Sequence, residues 1–151
     1  MALIYRGSNV AALGHDSVTG ERGFMVKHIN RTGGNSVKGE LVAASTTADK
    51  EVIKCANEFD GLGIIAEAGI PEGQEVWCWC NGSLAQVLLK DGVAAVRGYI
   101  ALAADTDGRV NAVDVPSSNP VVAEHFKEIG HIMQAKTAGT NVLALVSLHF
   151  N

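Results

Sequence analysis

The chain has 151 residues, of which 47% are hydrophobic and 19% charged, with a formal net charge of −4. This length suits one domain with a single core, and the acidic balance argues against a nucleic-acid-binding module, which would carry a basic stripe. No apolar run is long enough to cross a bilayer and the first residues lack a secretory signal, so we expect a protein that folds in a reducing cytosol without membrane partners.

Residues 1–35 differ in amino-acid composition and pattern from the rest of the chain. They are rich in Gly, Ser, Asn and Thr, and their apolar residues form short clusters such as Leu3-Ile4-Tyr5, which Arg6 follows. Such a segment buries little surface by itself. It either lies across the domain as loosely held strands or forms an arm that orders against a neighbour. We assign residues 1–35 to an extended N-terminal arm, in which residues 24–29 are the best strand candidate.

From Ser36 onward the pattern indicates strands. Residues 37–44 alternate weakly, residues 51–55 are β-branched, and residues 61–68 carry apolar residues on one face. A helix over residues 47–59 is the alternative for the second of these segments. We favour a strand there because the segment is short and ends in a cluster of turn-forming residues at 57–61.

The centre of the chain carries the strongest local signal. Asn81-Gly82 lies between two alternating runs, a pattern typical of a two-residue hairpin in which both turn residues have φ > 0. It predicts that residues 75–80 and 83–89 pair as antiparallel strands. One face would carry Val76, Cys78, Ala85 and Val87, and the other Trp77, Trp79, Leu84 and Leu88. Because both faces are apolar, we expect one to pack on the core and the other on more protein. The two tryptophans are either core residues or interface anchors.

The C-terminal half continues in short segments separated by turns. Lys90-Asp91-Gly92 and Asp107-Gly108 are hairpin signals, and residues 121–128 favour either one short helix or a bent strand. The predicted strands are residues 93–97, 99–104, 109–115, 130–134 and 141–150. Short strands with glycine-bearing turns are typical of a small barrel or sandwich. We therefore predict an all-β chain, with a small antiparallel β-barrel or sandwich over residues 36–151 and at most one short helix.

The three cysteines, Cys55, Cys78 and Cys80, do not have the spacing of a zinc site or a disulfide framework. We interpret them as buried structural thiols. His125, His131 and His149, together with Glu124 and Glu128, could converge on a metal or acid–base site. Their spacings match no ligand motif, so we interpret them as scattered structural or surface residues. We predict no catalytic residues, no cofactor and no metal.

The order of these features is similar to a known family. The VKGELVA strand, the block DGLGIIAEAGIPEGQEVWCWCNGSLAQVLL, the DTDGRV turn and the closing EIGHIMQAKTAGTNVLALVSLHF resemble the capsid decoration, or cement, proteins of tailed bacteriophages. The similarity covers about residues 36–151. The positions that carry it are Pro71, Gly73, Trp77, Trp79, Gly82, Ala85, Val87, Gly108, Arg109 and Val110.

The resemblance implies a non-enzymatic virion protein that is assembled in the host cytoplasm. It would bind the outer surface of the major capsid protein shell, often as a homotrimer, and hold neighbouring capsomers together. We expect residues 1–35, including Leu3, Ile4, Tyr5 and Arg6, to contact the shell. The apolar hairpin face with Trp77, Trp79, Leu84 and Leu88 would contact other subunits. A soluble small-molecule-binding barrel and an enzyme with an unfamiliar histidine site are the alternatives.

Overall fold

The computed structural model describes residues 3–7, 11–56, 60–114 and 125–150, with only the backbone for 3–7. The prediction of an all-β chain is confirmed, and no helix in these ranges is long and apolar enough to span a membrane. Of the predicted short helix over residues 121–128, residues 121–124 fall outside the described ranges, and Glu128 begins a strand. The described residues form twelve strands: β1 (Leu3–Gly7), β2 (Ala11–Asp16), β3 (Arg22–Asn30), β4 (Leu41–Ala44), β5 (Glu51–Lys54), β6 (Gly63–Ile65), β7 (Glu75–Trp79), β8 (Leu84–Leu88), β9 (Ile100–Ala103), β10 (Val110–Val113), β11 (Glu128–Ile132) and β12 (Leu143–Leu148).

Five strands close into a small ring in the order β3-β5-β4-β6-β7, because β7 returns to pair with β3. The β3–β5 pair is parallel and the other four pairs are antiparallel. Side chains alternate between the two faces of each strand. The side chains that point into the ring form a separate apolar cluster: Val42, Val52, Ile65, Val76 and Cys78.

The other strands extend this ring. Strands β10-β9-β11-β12-β8 follow one another in the sheet, and β8 joins β3 where Leu84 is opposite Arg22. The larger core combines the outer face of the ring with the inner face of this second group, and it includes Met25, Leu41, Trp79, Val87 and Val146. The ring and the second group therefore form one folded unit.

The Asn81-Gly82 turn is present, but the predicted hairpin is wrong. The Ser83 N–H donates to the Cys80 carbonyl at 3.2 Å, Gly82 has a φ of +83°, and Asn81 is not among the residues with positive φ. A positive φ at the second central residue alone is typical of a type II turn, whose twist splays the flanking strands. Accordingly, β7 pairs with β3 and β6, whereas β8 pairs with β12 and β3.

The expectation that one face of this segment packs on another subunit is corrected for the same reason. One face of β7 lines the ring and the other packs in the larger core, so a single chain covers both faces. Trp77 is 6% exposed, Trp79 0% and Leu88 4%, and Leu84 is half-buried. The tryptophans and Leu88 are core residues and cannot act as surface anchors in this fold.

Residues 11–30, which the sequence analysis placed in the N-terminal arm, form β2 and β3 of the sheet. The strand predicted at residues 24–29 is confirmed, since β3 pairs with β2, β5, β7 and β8. In the described chain, β1 pairs with β2 alone, so its second edge is unpaired there.

Other local predictions had mixed outcomes. The strand favoured over a helix at residues 51–55 is confirmed by β5, and the hairpin at Asp107-Gly108 is confirmed by the antiparallel β9–β10 pair. The predicted strand at residues 93–97 is wrong: within it, only Ala95 makes an isolated bridge, to Lys136.

Candidate functional site

An apolar patch lies on the face of β2 and β3 that is opposite the core residues Ala12 and Met25. Along β2, Ala12, Gly14 and Asp16 are buried, whereas the alternate side chains are exposed. Leu13 lies directly opposite Phe24 on β3, and these side chains are 51% and 58% exposed. The next pair on this face is Ala11 and Val26. We call Ala11, Leu13, Phe24 and Val26 the N-terminal apolar face, and it borders a shallow groove of about 330 Å³.

Ser83, the residue just before β8, holds the backbone of Phe24 in place. Its Oγ accepts a hydrogen bond from the Phe24 N–H at 2.9 Å and donates to the Phe24 carbonyl at 3.0 Å. The hydroxyl thus supplies backbone-like partners where the β3–β7 ladder ends and the chain turns into β8. A Cβ on Gly23 would lie 2.6 Å from the Ser83 Cα, so only glycine permits this approach.

The β2–β3 turn is fixed by two carboxylates. Asp16 Oδ1 accepts hydrogen bonds from the Val18 and Thr19 N–H groups at 2.9 and 3.2 Å. Burial opposes ionisation of Asp16, but these hydrogen bonds and the charge of Lys38 lower its pKa overall. Glu21 is buried, forms an ion pair with Lys38, and accepts a hydrogen bond from the Gln86 N–H of β8. The turn is thereby tied to the second strand group.

Leu3, Ile4, Tyr5 and Arg6 lie on β1, beside this face. Arg6 is paired with Leu13 and Leu3 with Asp16. Their side chains lie outside the described part of the chain, so their expected contacts stay predictions.

Neither a scan against protein-family models nor a search of curated proteins finds a match for this chain.

A cleft of about 530 Å³ is lined by Lys38, Lys54 and Arg109, among other residues. Each cation already has a carboxylate partner. Lys38 pairs with Glu21, Lys54 Nζ is 3.2 Å from Glu40 Oε1, and Arg109 Nη1 is 3.3 Å from Asp91 Oδ1. The inside of the β-ring is filled by aliphatic side chains and Cys78. The ring therefore does not hold the polar interior cavity that the small-molecule alternative predicts, and the cationic side chains that line the cleft are paired within the chain.

Three of the candidate ligand residues converge, although they are far apart in the sequence. The His149 Nε2 and His131 Nδ1 atoms are 2.8 Å apart, and His149 Nε2 lies 3.3 Å from Glu128 Oε1. One ligand atom from each of these residues lies within 4.8 Å of the others. His125 also contacts Glu128, with 3.4 Å between Nδ1 and Oε2. The expectation of scattered residues is therefore wrong for Glu128, His131 and His149, whereas Glu124 lies outside the described residues.

A β-bulge brings this cluster together. Residues three apart in a regular strand point to opposite faces, but the register of β11 against β9 shifts between Glu128 and Gly130. Glu128 and His131 consequently share a face. Gly130, with φ of +153°, permits the bulge, because a Cβ there would lie 2.0 Å from the Ser147 carbonyl oxygen. The glycine that begins the predicted strand at residues 130–134 was the one sequence signal for this arrangement.

None of the three cysteines, all of which lie in the described chain, forms a disulfide; Cys55 and Cys78 are buried, as predicted, whereas Cys80 is half-buried. Burial raises the pKa of Cys55 to about 11 and raises that of Cys78 further. Thiols of this kind are poor nucleophiles and poor metal ligands at neutral pH.

Proposed function

We propose that this protein is a non-enzymatic virion component that binds the outer surface of the major capsid shell of a tailed bacteriophage. It stabilises the shell by bridging capsomers after assembly in the host cytoplasm. The resemblance of residues 36–151 to capsid decoration proteins and the all-β fold support this proposal. The observation that carries it is the N-terminal apolar face, where two large side chains, Leu13 and Phe24, are each more than half exposed.

This face has the properties of a docking surface. A sheet face that meets only water normally carries polar side chains, and clustered exposed apolar residues mark interaction sites. Beside it lies the edge of β1 that has no partner within the described chain, and this edge can accept a strand from a capsid subunit. In this proposal the partner is the major capsid protein, and the segment of residues 1–35 contacts the shell.

The energy per subunit is modest. Full burial of a Leu or Phe side chain contributes about 1.5–3 kcal/mol, so covering the exposed halves of Leu13 and Phe24 contributes roughly 2 kcal/mol in total. A shell repeats each site many times, and an oligomer engages several capsomers at once. Weak contacts then add up to stable attachment.

Self-association is the second part of the proposal, with a homotrimer as the assembly. Because Trp77 and Trp79 are core residues, the contacts between subunits must lie elsewhere. Val96 and Met133, which are 42% and 54% exposed, lie on two segments joined by the hydrogen bond from Gly98 N to Ile132 O. This second exposed apolar region is our candidate for the contacts between subunits.

Co-sedimentation with expanded shells of the major capsid protein from the same genome tests the proposal. The double variant Leu13→Ser/Phe24→Ser should lose shell binding and keep the oligomeric mass and circular dichroism of the parent. Val37→Ser is the control, since Val37 is a 43% exposed apolar residue outside this face, and it should bind like the parent. Undiminished binding by the double variant would refute the role of this face. A parent chain that is monomeric and does not co-sediment with shells would refute the proposed function.

A further inference from the structure

We infer that Glu128, His131 and His149 form a binding site for one divalent transition-metal ion of the zinc type. This site lies on β11 and just after β12, apart from the N-terminal apolar face, and adds a property that capsid binding does not require. Two imidazoles and one carboxylate are a donor set that zinc accepts in proteins, with the remaining position open to water or another ligand.

The spacing of the donor atoms suits an ion. Ligands at zinc distances of about 2.0–2.1 Å in a tetrahedron lie roughly 3.3 Å from one another. His149 Nε2 is 3.3 Å from Glu128 Oε1 and 2.8 Å from His131 Nδ1. Taking one ligand atom from each residue, all three atoms lie within 4.8 Å of one another. Small rotations of the two rings would place an ion among the three residues.

Hydrogen bonds alone do not satisfy all the nitrogen and oxygen atoms of this cluster. A ring nitrogen carries at most one proton, yet His149 Nε2 faces both a ring nitrogen and a carboxylate oxygen. If that nitrogen donates to His131, the carboxylate of Glu128 must share the same proton. A cation at this point would instead accept the lone pairs of all three residues.

The backbone holds the three residues together. The bulge at Gly130 turns Glu128 and His131 to one face, and the His149 N–H donates to the Ile129 carbonyl at 2.9 Å. The ligands are thus positioned by two paired segments and not by a mobile loop, which lowers the ordering cost of binding. The side chains of His131 and His149 are 46% and 42% exposed, so an ion can enter from solvent.

Isothermal titration of the untagged, full-length chain with ZnCl₂ in metal-free buffer tests the inference. We expect one equivalent of zinc per chain and a rise in melting temperature when zinc is present, because only the folded chain assembles the site. His131→Ala and His149→Ala should each weaken binding by about tenfold or more. Co²⁺ should give the visible absorption of a tetrahedral complex, and this absorption should disappear in either variant.

Two controls separate this site from other ligands in the chain. His15→Ala removes an exposed histidine on β2, and Cys80→Ser removes the half-buried thiol, so both should bind zinc like the parent. Glu128→Gln keeps the size of the side chain and removes its charge, and serves if an alanine variant fails to fold. Absence of stoichiometric binding, or parental affinity in folded His131→Ala and His149→Ala, would overturn the inference and leave the capsid proposal untouched.

Discussion

The Ser83 hydroxyl offers a sharp test of how the fold presents the N-terminal apolar face. Ser83 is 1% exposed and bonds to both the N–H and the carbonyl of Phe24. The Phe24 carbonyl also accepts a hydrogen bond from the Cys80 N–H at 2.9 Å. The substitution Ser83→Ala therefore leaves that carbonyl with a partner and leaves the Phe24 N–H without one.

The cost follows from that single orphaned donor. A buried donor that loses its partner costs about 1–3 kcal/mol of folding stability. Because the hydrogen bond to the Phe24 N–H is only partly buried, we expect a loss of about 1–2 kcal/mol. For a chain of this size, each kcal/mol lowers the melting temperature by about 2–4 °C. We expect Ser83→Ala to melt roughly 2–8 °C below the parent.

Urea and thermal unfolding measure this difference, and hydrogen exchange at the Phe24 amide locates it. Ser147→Ala is the matched control, because Ser147 is an exposed serine on β12, and it should change stability by less than about 0.5 kcal/mol. If Ser83→Ala were as stable as Ser147→Ala, or if the Phe24 amide stayed protected, the hydroxyl would not be holding β3 against β8.

Three further predictions concern buried groups. A thiol reagent at neutral pH should modify Cys80 slowly in the native chain and leave Cys55 and Cys78 unmodified, whereas all three should react in urea; mass spectrometry counts the labels. Burial raises the pKa of the Glu40 carboxyl group, so the folded state binds a proton at Glu40 more tightly than the unfolded state does. The contribution of Glu40 to folding stability therefore falls as pH rises above about 4. Glu40→Gln should remove that fall in urea unfolding measured across this range. Gly130→Ala would place a Cβ 2.0 Å from a carbonyl oxygen at φ of +153°, and should lower stability by about 2 kcal/mol or more in thermal unfolding.

Alternation and turn residues were enough to predict the fold class and several strands. They did not predict which strands pair around Asn81-Gly82, because this dipeptide fits both a type I′ and a type II turn. The choice depends on φ at Asn81, and partners remote in sequence fix it: β3 and β6 for β7, and β12 for β8. Local chemistry thus located the turn, while tertiary pairing decided its type.

The histidine cluster escaped prediction for a related reason. In an unbroken strand, Glu128 and His131 would point to opposite faces, and nothing local connects them to His149. One inserted residue reverses that parity, and the pairing of Gly130 with Leu148 brings His149 alongside. Spacing rules for metal sites assume regular elements, so they fail wherever a bulge changes which residues share a face.

The position of Trp77 and Trp79 changes where a docking surface has to be. Their segment is apolar on both faces, which in an ordinary two-layer sheet would leave one face for a partner. Here β7 pairs with β3 and closes a ring, so β7 has the ring interior on one side and the larger core on the other. Excess apolar surface then remains on β2 and β3, where Leu13 and Phe24 point away from the larger core and are each more than half exposed. Capsid binding should accordingly depend on these two residues, whereas substitutions of the tryptophans should act through stability alone.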